Sequence, residues 1–264
     1  MSIAASTAWP AIARGAGTPV VFLHGYPLDH AMWLPQLDDL SRDQEVVLLD
    51  LPGYGLAEDW PVPDTLTGFA ESVHRTLAEH FSTPVVVVGH SFGGYVAMQL
   101  YRDHPEQFRA LVLTNTRSEA DSPEAKEKRL ATVARLEDPT QGLDVDEVAR
   151  GLVAPVTWHI GGPVVDRVRS MISGARSTTI RETLKAIANR PDSTPVLSTI
   201  RVPALVVWGE EDRLIPPQQT QLMVARIPGS SGTGIAGAGH LPSLEKPQAF
   251  SRVLADFLRR VSGV

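Results

Sequence analysis

Val85-Val86-Val87-Val88-Gly89-His90-Ser91-Phe92-Gly93-Gly94-Tyr95-Val96-Ala97-Met98-Gln99-Leu100-Tyr101 runs from a β-branched stretch through a glycine-flanked turn into helical spacing built of good helix formers. A serine at such a turn sits in an uncommon backbone geometry, which small neighbours at 89 and 93 permit, and its hydroxyl stands out above the strand end. The pentapeptide G-x-S-x-G alone is a modest signal, because a serine capping an ordinary turn looks the same. The strand before it and the helix after it make Ser91 a candidate nucleophile.

A serine hydroxyl attacks poorly at neutral pH unless a base lies in reach and a third group holds that base in the right tautomer. Ala204-Leu205-Val206-Val207-Trp208 reads as a buried strand and leads into Gly209-Glu210-Glu211-Asp212-Arg213-Leu214-Ile215. Asp212 is the candidate orienting acid there, with Glu210 and Glu211 read as solvated loop charges. The candidate base is His240 in Gly237-Ala238-Gly239-His240-Leu241-Pro242, ahead of a helical run from Pro247 to Arg260. His30, His74, His80, His104 and His159 lie in segments without comparable partners and read as ordinary polar residues. His90 adjoins the serine, yet the same turn points it elsewhere and makes it supporting structure. Attack on a carbonyl also needs preorganised donors for the oxyanion. Val20-Val21-Phe22-Leu23-His24-Gly25-Tyr26-Pro27 ends a strand in a small residue, offering the Tyr26 N–H, and the Phe92 N–H at the start of the next helix is the second candidate.

Taken in order, His24-Gly25-Tyr26-Pro27, Gly89 to Gly94, Gly209 to Asp212 and Gly239-His240 resemble the α/β-hydrolase fold family over Val20 to Leu258. The Ser, Asp, His order is that family's own. Leu49-Asp50-Leu51-Pro52-Gly53-Tyr54-Gly55 is similar to the family's strand-end turn, although Leu56-Ala57 follows where relatives often carry serine. The resemblance implies a mostly parallel twisted sheet with helices on both faces, a helical cap insertion, and Ser91, Asp212 and His240 as the catalytic set. Serine at the elbow argues against the dehalogenase and epoxide-hydrolase branches, which carry aspartate there. Thr116 to Glu127 and Arg190-Pro191-Asp192-Ser193-Thr194 resemble bacterial serine carboxylesterases, with enol-lactonases next.

Apolar runs at Val20–Leu23, Val46–Leu49, Val85–Val88, Leu111–Leu113 and Leu205–Trp208 alternate with helical segments, the pattern of a parallel sheet. The gap from Thr116 to Pro203 breaks that rhythm and reads as several short helices. Ser122-Pro123, Asp144 with Glu147, Pro163, and Thr179 with Glu182 mark their starts. The expected division is a hydrolase core at 1–116 and 200–264 with a helical cap at 117–199, set over the strand ends where open α/β sheets bind ligands. Leu152, Val153, Trp158, Val165, Val168, Met171 and Ile172 of that insert should mostly pack its own helices, with about a third lining a pocket. A last core strand is expected near Ser231 to Ala236. The G-x-G-x-x-G string at Gly232–Gly237 lies in it, and no long helix opens at its end, so it is not read as a dinucleotide site.

At 264 residues and 43% hydrophobic, the chain can bury a large core. With no cysteine, disulfides, thiolate chemistry and cysteine zinc sites are excluded. A net charge of −6 with scattered Lys and Arg gives no nucleic-acid footprint. Met1 to Gly17 lacks a secretory pattern and no run nears the ~20 residues of a membrane span, so a cytoplasmic protein without membrane partners is expected. No cofactor or metal is implied, and no pattern fixes an oligomeric state.

The function expected is hydrolysis of small to medium, largely uncharged carboxylic esters through an acyl-enzyme on Ser91, the absence of a cationic cluster favouring uncharged substrates. The same triad could instead serve a lactonase, a C–C bond hydrolase or a perhydrolase. A non-catalytic ligand-binding or receptor-like protein of this fold is the alternative from another class.

Overall fold

Continuous valine and leucine runs suit strands buried on both faces. The computed structural model describes residues 10–138 and 140–262. Among them lie strands β1 (Ala11–Arg14), β2 (Pro19–Leu23), β3 (Glu45–Leu49), β4 (Val85–His90), β5 (Phe108–Thr114), β6 (Ala204–Gly209) and β7 (Ser231–Ile235). They form one sheet in the order β1-β3-β2-β4-β5-β6-β7. All neighbours run parallel except β1, an antiparallel edge strand on β3 that the apolar pattern did not announce. The chain builds outward to one side through β3 and to the other through β5, so the strand order reverses between β2 and β4. Open α/β sheets bind ligands at that switch point.

Strand alternation sends each apolar run to two cores. Val21, Leu23, Val85 and Val87 pack on one face, and Val20, Phe22, Val86 and Val88 on the other. Helices α2 (Leu66–His80) and α3 (Phe92–Asp103) contribute Phe69, Val73, Phe92 and Val96 to the first core. Helices α1 (Leu34–Leu40) and α12 (Pro247–Ser262) contribute Leu37, Phe250, Leu254 and Phe257 to the second. The four valines of β4 are at most 1% exposed, and each such side chain buried stabilises the fold by about 1.5–3 kcal/mol relative to leaving it in water.

Between β5 and β6 stand α4 (Pro123–Arg135), α5 (Val145–Leu152), α6 (Pro155–Ile160), α7 (Pro163–Gly174), α8 (Ser177–Ala188) and α9 (Thr194–Leu197). Helix α10 (Pro217–Arg226) follows β6, and the short α11 (Pro242–Glu245) precedes α12. Ser122 and Asp144 accept from the Ala125 and Glu147 N–H groups and cap α4 and α5, and Pro163 opens α7. The expected start at Thr179 is corrected: α8 begins at Ser177, and Thr179 lies inside it with its hydroxyl donated to the Gly53 carbonyl at 3.2 Å.

Gly232 and Gly234 pair with Val206 and Trp208 inside β7, so the glycine string is strand as far as Ile235, with a turn at Ala236–Gly237, and opens no long helix. No helix among the described residues is long and apolar enough to cross a membrane. Residues 1–9 of the N-terminal stretch read above, and residues 263–264 of the expected core, lie outside the described residues.

Candidate active site

Ser91 follows β4 directly and has φ 49° and ψ −111°, a left-handed conformation that costs a non-glycine residue of the order of 1–3 kcal/mol. Hydrogen bonds hold it there. Its N–H donates to the Thr114 carbonyl at 3.0 Å, and its own carbonyl accepts from Gly94 N, Tyr95 N and the Thr116 hydroxyl. The flanking glycines are required by close approach: a Cβ at Gly89 would lie 2.5 Å from the Gly93 carbonyl oxygen, and one at Gly93 would collide with the Leu23 carbonyl.

Asp212 leaves the end of β6 and is buried with His240. His240 Nδ1 lies 2.8 Å from Asp212 Oδ2. An ionised carboxylate only accepts, so Nδ1 carries the proton in this contact and Nε2 is left as the ring's acceptor. Three other donors hold the carboxylate: Asn115 Nδ2 at 2.8 Å to Oδ2, with Leu214 N at 2.8 Å and Ile215 N at 3.1 Å to Oδ1. Burial alone would raise the Asp212 pKa. The interaction with His240 and the hydrogen bonds from Asn115 and Leu214 outweigh it and hold the group at about 2.

Ser91 and His240 share the wall of one cavity of about 890 Å³ with Tyr26 and Phe92, a size suited to a small-molecule ligand. Tyr26 follows β2 and Phe92 follows β4, neighbouring strands whose Leu23 and Gly89 are in register. Phe92 is the first residue of α3, where N–H groups lack intrahelical acceptors and face the positive end of the dipole. Helices α4 and α5 close another side through Lys128, Arg129, Thr132, Val148 and Leu152. Of the seven apolar insert residues singled out above, Leu152 alone lines this cavity. Val153, Val168, Met171 and Ile172 join the second core instead.

Several polar groups near the site escape sequence reasoning. Asn115 and Thr116, fully buried just after β5, anchor Asp212 and Ser91; the polar triplet Thr114-Asn115-Thr116 ending an apolar strand was the available signal. Glu245 looks like a surface charge in sequence. Its Oε1 accepts from Gly239 N at 2.8 Å and Leu241 N at 3.2 Å, on either side of His240, while Oε2 accepts from Ala154 N and the Thr157 hydroxyl at 2.7 and 2.6 Å. One carboxylate therefore joins the His240 loop to the insert. The two carboxylesterase-like stretches also meet: Ser118 and Thr194 hydroxyls lie 3.0 Å apart, and Arg190 pairs with Asp121 at 2.9 Å.

Five other histidines make defined contacts. His24 donates from Nδ1 to Gly25 O and accepts at Nε2 from Leu51 N, both at 3.0 Å, which fixes a neutral ring; burial lowers its pKa accordingly. His30 meets Asp50 Oδ2 at 2.6 Å, and that hydrogen bond raises its pKa. His90 does not line the cavity, yet its ring packs edge-on against His240 with centroids 4.8 Å apart, and burial pushes its pKa well down. His74 and His104 stack at 3.6 Å, and their ligand atoms and that of Glu71 lie within 4.8 Å of one another, the one such group found among the described residues. It lies on α2 and the end of α3, apart from the cavity wall.

A family model described as the alpha/beta hydrolase family matches residues 20–253. Over 258 residues the chain is 30% identical to the dihydrolipoyllysine-residue acetyltransferase component of the acetoin cleaving system of Cupriavidus necator, covering 92% of this chain and 64% of that protein. The chain thus spans slightly under two thirds of that relative's length. It is 28% identical over 248 residues to a pimeloyl-[acyl-carrier protein] methyl ester esterase of Neisseria meningitidis serogroup C, covering 92% and 94% of the two chains. Its structure is similar to that of a malate-bound thermophilic esterase from Thermogutta terrifontis, with TM-score 0.91, 32% identity, and 96% and 93% of the two chains covered.

Proposed function

Because the chain belongs to the alpha/beta hydrolase family, we propose that it is a serine carboxylic-ester hydrolase working through an acyl-enzyme on Ser91. Esterases among its relatives support the reaction class. The observation that carries the finer reading is the 2.8 Å contact between His240 Nδ1 and Asp212, with His240 and Ser91 on one cavity wall.

In this reading His240 Nε2 takes the Ser91 proton as Oγ attacks the ester carbonyl, and Asp212 stabilises the imidazolium that forms. The carbonyl oxygen gains negative charge, which the Tyr26 and Phe92 N–H groups receive. Removing one such donor typically costs about 2.7–4 kcal/mol of transition-state stabilisation. Collapse of the tetrahedral species expels the alcohol, protonated by His240, and leaves the acyl group on Ser91. Water, deprotonated by His240, then attacks that carbonyl and releases the acid. Residues 117–199 act as a cap over the cavity, and small-molecule esters are the substrates.

The test is steady-state hydrolysis of p-nitrophenyl esters. Ser91→Ala should lower kcat by about 10⁶ if the three residues act as a unit. Turnover retained in that variant would remove Ser91 from the mechanism.

A further inference from the structure

Read along the chain, the cations of residues 117–135 are interleaved with carboxylates and form no cluster, which favoured an uncharged ester. Helix geometry sorts them. Lys128, Thr132 and Arg135 follow one another at four and three residues and so share a face of α4. That face, with Arg129 and Arg117, lines the cavity that holds Ser91. The chain as a whole is negative, at −6, so this cationic wall runs against the overall charge.

The charges there are only partly answered. Behind the wall the fully buried Asp121 carboxylate meets Arg117 at 2.5 Å, Arg129 at 2.7 Å and Arg190 at 2.9 Å, one negative charge against three guanidiniums. Arg117 Nε is buried without a hydrogen-bond partner. Lys128 and Arg135 have no ion-pair partner among those found for the described residues; Arg135 donates to the Gly142 carbonyl at 2.8 Å. The opposing acids on the wall are Asp144 and Glu147. They sit at the cap and in the first turn of α5, where the helix dipole answers them, and Asp144 already accepts from Glu147 N. Burial pushes the Tyr26 phenol up, while the charges of Arg129 and Arg135 pull it back. Apolar side chains, Leu143, Val148 and Leu152 among them, also line the cavity.

An occupant that fits has an apolar body, an ester at Ser91 and a negative charge at its far end. This rests on the esterase reading and narrows it: we propose that the substrates are esters bearing a second, free carboxylate, which the α4 face of Lys128, Arg129 and Arg135, with Arg117, receives. Three of the four cations are guanidiniums, whose planar fork matches a carboxylate.

Two esters of equal chain length test this, mono-p-nitrophenyl adipate and p-nitrophenyl hexanoate. The wild-type protein should show a kcat/KM higher by about tenfold for the adipate, carried by KM, and the preference should shrink in about 0.5 M NaCl, where exposed charges are screened. In the Lys128→Gln, Arg135→Gln double variant, which leaves the Asp121 cluster intact, the ratio should fall towards one. Hydrolysis of both esters with no adipate preference, or a ratio unmoved by the double variant, would overturn the anion subsite and leave the esterase reading standing. Hydrolysis of neither ester would remove both.

Discussion

Asn115 donates its side-chain amide to Asp212 Oδ2 at 2.8 Å, the same oxygen that meets the His240 ring. The pairing spans the ends of β5 and β6 and explains why an asparagine, a residue that tolerates left-handed backbone, sits there at φ 45°. Asn115→Asp keeps the shape but sets a second carboxylate against the first, and two such groups cannot both ionise freely. We expect lower ester turnover at neutral pH and a stability loss of about 1–3 kcal/mol, read by urea denaturation. Unchanged turnover would mean that Asp212 is positioned without this bond.

Glu245 is expected to matter to both stability and rate. Glu245→Gln converts one acceptor oxygen into a donor facing either the N–H groups around His240 or those of the insert. Hydrogen bonds to a charged group are worth about 1.5–3 kcal/mol, so a loss of that order should appear in denaturant unfolding. kcat should fall with it, because the loop that carries His240 loses its tie. A variant with wild-type stability and rate would show that the tie is dispensable.

The Asp121 cluster should behave as a buried ion network. Burial acts to raise the Asp121 pKa, and the charges of Arg129 and Arg190 overcome it, leaving the group below its ordinary value. A carboxyl depressed in the folded state contributes stability that is present above its unfolded pKa of about 3.9 and is lost as pH falls through the folded value. Asp121→Ala leaves Arg190, whose side chain is 2% exposed, without its carboxylate, and should destabilise by about 3–5 kcal/mol. The same variant should flatten the acid limb of stability against pH.

His30 gives the opposite sign. Its hydrogen bond to Asp50 raises its pKa, so its contribution is whole below the unfolded value of about 6.5 and declines as pH rises through the folded one. Urea midpoints followed from pH 5 to pH 9 should show that decline in the wild-type protein and a weaker one in His30→Gln. Parallel curves would separate His30 from the pH dependence.

The parts of the fold visible in sequence are those written locally. The valine run, Gly89 beside Ser91 and the helix starts at Ser122, Asp144 and Pro163 each act within a few residues, and the sheet and helices follow from them. The edge strand β1 is short and half-exposed, so it carries no apolar run to find. Thr179 misled because its hydroxyl serves Gly53, far along the chain, rather than its own helix. Asn115, Glu245 and the cations of α4 gain their roles only when distant segments meet, since a charged or amide side chain has the same local signature on a surface as beside a buried partner. The fold met the pattern of apolar residues, whereas the polar network around Asp212 and His240 had to be seen in three dimensions.

The most direct measurement is mass spectrometry of the wild-type protein after incubation with a fluorophosphonate, which labels only an activated serine. A single adduct on the peptide carrying Ser91, lost in Ser91→Ala and strongly slowed in His240→Ala, is the expected result. An unlabelled protein, or an adduct on another serine, would contradict a mechanism built on Ser91 and His240.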